Sequence, residues 1–264
     1  MAAHRQALKR LAQSGYVARG VVYLIIGGFA CLAAFGSGGG TSDSKDALAA
    51  LLGAPFGKVL LILVAVGLVG YAVWRAVQAI FDVDGHGTDV KGLAVRGGLG
   101  VSAVTHTLLA LFAFGLIFAG IGSGGDGGGK QGMAATLMSQ PFGQWLAALV
   151  GLAIVGAGLA QIVKGWKAGF TKYLALDGDK DRWVMPISRF GLIARGVVFA
   201  LVGAFFVLAA WQADPSEARG LSGALDAVRS APFGWALFAL IALGLFAFGL
   251  YSLVEARYRR IPQP

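Results

Sequence analysis

Six apolar runs, each long enough to cross a bilayer, dominate this chain: Val17–Phe35, Val59–Phe81, Gly98–Ile121, Trp145–Val163, Phe190–Trp211 and Trp235–Val254. A hydrocarbon core about 30 Å thick takes about 20 apolar residues per helix. In lipid the backbone must satisfy its own hydrogen bonds, so runs of this length read as helices. No run is charged at its middle, and Arg19, Arg75 and Arg195 lie toward one end of theirs. From there an arginine snorkels to the headgroups, whereas a central one costs about 2.5–3.5 kcal/mol. Composition agrees, with 57% hydrophobic and 13% charged residues, against about 25% charged in soluble domains. Of the 42 glycines, 17 sit within these apolar runs, as in closely packed membrane helices. A soluble enzyme is excluded. The first run, at 19 residues, exceeds the roughly 7–15 of a signal-peptide core and reads as a span.

Orientation follows from the basic residues. The N-terminus, the loops near 82–97 and 164–189 and the C-terminus share one side and hold 17 of the 22 Lys and Arg. Only Lys45, Lys58, Lys130, Arg219 and Arg229 fall on the other. The first side is therefore expected in the cytoplasm, with both termini. Acidic residues divide seven to six, leaving the cytoplasmic face net positive and suited to anionic lipid headgroups. The formal charge of +9 is read as a membrane signal, and no nucleic-acid partner is expected. The six tryptophans are expected in two interfacial belts: Trp145, Trp211 and Trp235 outside, Trp74, Trp166 and Trp183 inside.

The runs repeat. Pro55-Phe56-Gly57, Pro141-Phe142-Gly143 and Pro232-Phe233-Gly234 recur 86 and 91 residues apart, each before an even-numbered span. Each follows a short amphipathic stretch (Asp46–Leu52, Gly132–Met138, Gly223–Arg229). Proline lacks an N–H and fixes φ, so it ends one helix and starts another, while glycine permits a tight turn. The odd spans repeat as well. Gly15-Tyr16-Val17-Ala18-Arg19-Gly20-Val21-Val22-Tyr23 matches Gly191-Leu192-Ile193-Ala194-Arg195-Gly196-Val197-Val198-Phe199, and the middle copy matches at Ser102-Ala103-Val104-Thr105-His106. Three units result, at 11–82, 92–170 and 187–261, within one membrane domain over 1–264. Each unit has two spans, so all enter the membrane from the same side, and such repeats are related by an axis along the membrane normal. The expected fold is all-α: six transmembrane helices as three parallel two-helix repeats around a pseudo-threefold axis. Gly67, Gly70, Gly156, Gly196, Ala200 and Ala204 are expected at close helix contacts. Three two-span repeats, the Ala-Arg-Gly-Val-Val start, Pro-Phe-Gly and the ending Glu255-Ala256-Arg257-Tyr258-Arg259-Arg260 resemble the bacterial family filed as domain of unknown function 1206. The resemblance covers residues 11 to 261 and implies a multi-pass bacterial inner-membrane protein. It carries over no catalytic residue.

Chemistry-bearing patterns are sparse. His-Glu-x-x-His, Gly-x-Ser-x-Gly and the P-loop are absent, so zinc, serine-hydrolase and nucleotide chemistry lack support. Asp177-Gly178-Asp179-Lys180-Asp181 lacks the closing glutamate of a calcium loop and reads as a solvated loop. Cys31 is the sole cysteine and reads as a small apolar filler. His106 takes the slot of Tyr23 and Phe199; with Thr105 it reads as aromatic packing or as the edge of a polar cavity on the axis. No cofactor or metal is expected. Arg75 lies about 9 Å inside its span, six residues at about 1.5 Å each, and must snorkel or find an acceptor. Glu255 stands level with Arg19 and Arg195 and is expected to pair with at least one of Arg19, Arg75 and Arg195, Arg19 being favoured because a closed ring brings spans one and six together. The expected function is that of a non-catalytic scaffold, or a lipid- or partner-binding membrane protein. The alternative is a transporter or channel-like protein for a small neutral or hydrophobic solute along the repeat axis.

Overall fold

The computed structural model describes residues 2–35, 40–41, 43–118, 135, 138–139, 142–175 and 181–260. Among these residues the chain is helical, without strands, and eight helices carry it: α1 (Ala2–Ala34), α2 (Ser44–Leu52), α3 (Gly57–Phe81), α4 (Val90–Phe118), α5 (Gly143–Trp166), α6 (Asp181–Gln212), α7 (Leu221–Ser230) and α8 (Gly234–Tyr258). Six of them (α1, α3, α4, α5, α6 and α8) are long and apolar enough to cross a membrane. Their outward faces expose large side chains such as Leu63, Val66, Leu108, Leu111, Leu149 and Leu240. An apolar girdle this extensive requires lipid around it, and the protein is a multi-pass membrane protein. Several helices outrun their apolar runs. α1 begins 15 residues before Val17, because its polar first turns continue the helix beyond the apolar stretch.

Each Pro-Phe-Gly turn departs from its sequence reading in one respect. Phe56, Phe142 and Phe233 adopt the left-handed conformation, with φ of 58°, 61° and 57°. The glycine does not. It opens the next helix, and Gly57 and Gly234 donate their N–H to the carbonyls of Ala54 and Ala231 at 2.8 and 2.7 Å. This is a type II-like turn with proline at its second position and phenylalanine where glycine is usual. Glycine is needed for another reason: a Cβ on Gly57 would strike the Leu51 and Leu52 carbonyls, and one on Gly234 those of Val228 and Arg229. Pro141 lies outside the described residues.

Small residues set the helix neighbours. α1 packs on α3 and α8, α3 on α4, α5 on α6, and α6 on α8; among the described residues no comparable contact joins α4 to α5. Along α5, Gly151, Gly158 and Gly165 recur every seven residues and face Gly203, Gly196 and the Arg189–Ile193 turn of α6. Gly20 and Gly249 abut in the same way across α1 and α8, and Gly27 lies against Phe246. Ala65, Ala72 and Ala79 of α3, with Ala103 and Ala110 of α4, hold the matching positions. Of the expected contact residues, Gly67, Gly70, Gly196 and Ala200 are at such contacts, whereas a Cβ on Gly156 would meet nothing within 4 Å. α2 rests on α1, α3 and α4, and α7 on α6 and α8. In the half nearer these short helices the interior is an apolar core running through Val22, Ile26, Leu48, Leu61, Leu225 and Leu245.

Candidate functional site

The polar residues of the long helices converge in the other half, toward the end that carries the termini. Arg19 on α1 is 6% exposed and Glu255 on α8 is 3% exposed. The Arg19 guanidinium donates to Glu255 Oε2 and to the Tyr71 hydroxyl, and its Nε donates to Ser252 Oγ at 3.1 Å. Its carbon lies 5.0–5.1 Å from the ring centres of Tyr16, Tyr71 and Phe248. Glu255 is shared: its second oxygen accepts from Arg259 at 2.8 Å, one turn on, and Arg259 reaches Asp84 at 3.3 Å. Gln78 also donates to Asp84. Arg75 is held inside the protein, donating to the Tyr71 hydroxyl and to Gln78 Oε1, the latter at 3.0 Å. A charge buried this deeply needs hydrogen-bonding partners or an opposite charge, and most of the guanidinium nitrogens find one, although the Nε of Arg75 and of Arg259 do not. The network ties α1, α3 and α8 to the loop after α3.

Arg195 sits apart from that network. Its Nε donates to the Tyr23 hydroxyl at 2.9 Å and its Nη1 to Gln161 of α5. The rings of Phe199, Phe248 and Tyr23 lie 4.2, 4.7 and 5.4 Å from its guanidinium carbon. Among the described residues, no carboxylate pairs with it.

His106 packs on Tyr71 with ring centres 4.5 Å apart, and its Nδ1 lies 2.7 Å from the Ser102 carbonyl. Thr105 is on the exposed side of α4 and donates to the Ser102 carbonyl at 3.0 Å. Trp74 corrects the expected inner belt. It is fully buried, donating to the Tyr16 hydroxyl at 3.1 Å, because its indole finds a partner inside the helix packing instead of at the headgroups. The other five tryptophans are 69–88% exposed. Near the opposite end, an open apolar recess of about 530 Å³ lies between α1 and α2, lined by Ile25, Phe29, Cys31, Leu32 and Leu51 among others. Phe56, Phe142 and Phe233 are 83–86% exposed. Outside the long helices, Asp82 accepts the backbone N–H groups of His86 and Gly87, which hold its carboxyl below the usual value. The loop of Asp177 and Asp179 lies outside the described residues.

Tyr16, Tyr71, Ser252 and Arg259 belong to these clusters without having been expected there from the sequence. Arg259 carried a legible signal, four residues after Glu255 on one helix face. Tyr16, Tyr71 and Ser252 did not, because aromatic and hydroxyl residues in or beside apolar runs look like packing.

The family described as Domain of Unknown Function (DUF1206) matches this chain three times, at residues 14–82, 97–168 and 190–259. The chain is also 34% identical over 257 residues to the protein named "Uncharacterized protein YxxB" of Bacillus subtilis (strain 168), covering 96% of this chain and 92% of that one. No solved structure matches.

Proposed function

We propose a function for this chain, which belongs to the DUF1206 family, as a non-catalytic protein of the bacterial cytoplasmic membrane that binds anionic lipid or a protein partner. In this reading three two-helix repeats surround a pseudo-threefold axis along the membrane normal, and both termini are cytoplasmic. The helix neighbours support the arrangement, since α3·α4, α5·α6 and α8·α1 each join the second helix of one unit to the first of the next. The observation that carries the function is the use made of the interior polar groups. Arg19, Tyr71, Ser252 and Glu255 are consumed in pinning helices to one another, while Arg75 bonds to Tyr71 and Gln78 of its own helix. Below them the apolar core fills the space between helices. A conduction path requires polar groups free to meet the solute. The test is reconstitution in vesicles. Neutral solutes such as glycerol are expected to leave protein-loaded and empty vesicles at the same rate, while vesicles with anionic lipid retain more protein. Solute flux above the empty-vesicle rate would overturn this reading.

The alternative, passage of a small hydrophobic solute, draws on the recess beside Cys31. Its walls are apolar and it opens outward between α1 and α2. If it holds such a solute, a bulky thiol label on Cys31 blocks uptake.

A further inference from the structure

The middle unit departs from the other two at the position that holds a ring, and from the third at the position that holds a carboxylate. Counted from the glycine of Pro-Phe-Gly, Glu255 of α8 corresponds to Gln78 of α3 and Lys164 of α5, while Phe248 corresponds to Tyr71 and Ala157. Arg19 and Arg195 are equivalent on their own helices. Both reach the preceding unit at one equivalent position: Arg19 donates to Ser252 and Arg195 to Gln161. Arg19 finds a glutamate one turn further along that helix and a phenylalanine ring one turn before it. At the equivalent positions of α5 stand Lys164 and Ala157. The ammonium of Lys164 lies over the Tyr173 ring at 5.2 Å. The slot that holds a carboxylate beside Arg19 is thus matched in sequence by a lysine, and the slot that holds a ring by a methyl group.

The same substitutions open the hairpin. In the outer units Gly67 packs on Ala18 and Gly244 on Ala194, while Gly15 abuts Tyr71 and Gly191 abuts Phe248. The middle unit has Ala153 with Val101, and Gly98 with Ala157. A Cβ on Gly98 would meet nothing within 4 Å, and Val101 is 65% exposed. With larger residues at the close crossing and no ring to fill the gap, α4 and α5 do not seat against each other as the outer pairs do. Ala157 is exposed and lies one turn from Gln161, on the flank left open.

We propose that this opening is a binding site for a phosphate oxyanion carried on a lipid headgroup, with Arg195 as its anchor and Gln161 and Tyr23 orienting the guanidinium. Guanidinium and phosphate form charge-assisted, fork-shaped hydrogen bonds, and Arg195 Nη2 has no partner among the described residues. An arginine without a carboxylate, set among apolar helices, is completed by a counter-anion from outside. The exposed apolar flanks of α4 and α5, including Val101, Val104 and Leu159, suit acyl chains and select lipid over free phosphate.

This site rests on the lipid-binding reading above, and one experiment separates the two. The full-length protein is placed in phosphatidylcholine nanodiscs, and added phosphatidylglycerol is counted by native mass spectrometry. The variants are Arg195→Gln, the double Ala157→Phe/Lys164→Glu, which rebuilds the surroundings of Arg19, and Lys58→Gln at the opposite end as control. Wild type and Lys58→Gln are expected to retain phosphatidylglycerol equally, and the two site variants to bind it about tenfold or more weakly. The double variant installs only residues that the third unit already accommodates, so it decides the matter if Arg195→Gln does not fold. Unchanged retention in a folded site variant, or equal loss in Lys58→Gln, overturns the site alone. A wild type with no preference for phosphatidylglycerol over phosphatidylcholine overturns the site and the lipid-binding reading together. Inorganic phosphate is expected not to displace the lipid, and displacement by it would overturn the assignment to a lipid headgroup.

Discussion

At the scale of single residues, one carboxylate holds the most. Glu255 accepts from Arg19 and Arg259 within a site where each is at least nine-tenths buried. Removing one member of such a cluster leaves its partners charged and uncompensated, at a cost of about 3–5 kcal/mol. Glu255→Gln is therefore expected to lower the melting temperature in detergent far more than Arg219→Gln, whose ion pair with Glu217 is exposed and contributes about 0–1 kcal/mol. A double-mutant cycle between Glu255→Gln and Arg19→Gln is expected to be non-additive by about 0.5–3 kcal/mol. Strict additivity would show that the two do not interact. Asp82 offers a milder case at the surface. Its carboxyl is lowered by the N–H groups of His86 and then Gly87, so its contribution to loop order is complete above the unfolded value near 3.8 and is lost as pH falls through the lowered one. Proteolysis within residues 82–89 is expected to be unchanged from pH 7 to 5 and to rise only below pH about 4.

At the scale of elements, seven-residue glycine spacing decides how closely α5 and α6 approach. A Cβ on Gly158 would lie 2.6 Å from the Gly196 carbonyl and 2.7 Å from the Ala200 nitrogen, while one on Gly156 would meet nothing. Gly158→Val is expected to destabilise by about 1–3 kcal/mol through overpacking, and Gly156→Val by less than about 0.5 kcal/mol. Equal melting temperatures for the two would show that the helices do not meet along that face. The phenylalanine turns make a contrasting case. A left-handed conformation costs a side-chain-bearing residue about 1–2 kcal/mol, and Phe56 is 86% exposed. Phe56→Gly is expected to raise stability in detergent by up to about 1 kcal/mol. Three strained, exposed phenylalanines at the same end fit anchors whose return comes only in lipid.

At the scale of the whole molecule, the charge distribution sets the topology. In a chain with Cys31 replaced by serine, a cysteine at Thr88 is expected to react with a membrane-impermeant maleimide only after cells are opened, and one at Ala231 while they are intact. Both positions are exposed and lie at opposite ends of the long helices. The reverse pattern would invert the proposed orientation.

The sequence by itself determined the helices and the threefold internal repeat, because a span is declared by local composition and a repeat by its own residues. Pro-Phe-Gly and the Ala-Arg-Gly starts were legible for that reason, and so was the level at which Arg19 and Glu255 would stand. What each charge would meet depended on which helices stood side by side. That is set by glycines and alanines spaced along different helices, whose meaning appears only when two backbones approach. The buried place of Trp74, the left-handed phenylalanines and the use of Tyr71 by both Arg19 and Arg75 were decided there. So was the contrast between Arg19 and Arg195, which share a local motif and differ in what the neighbouring helix brings to them.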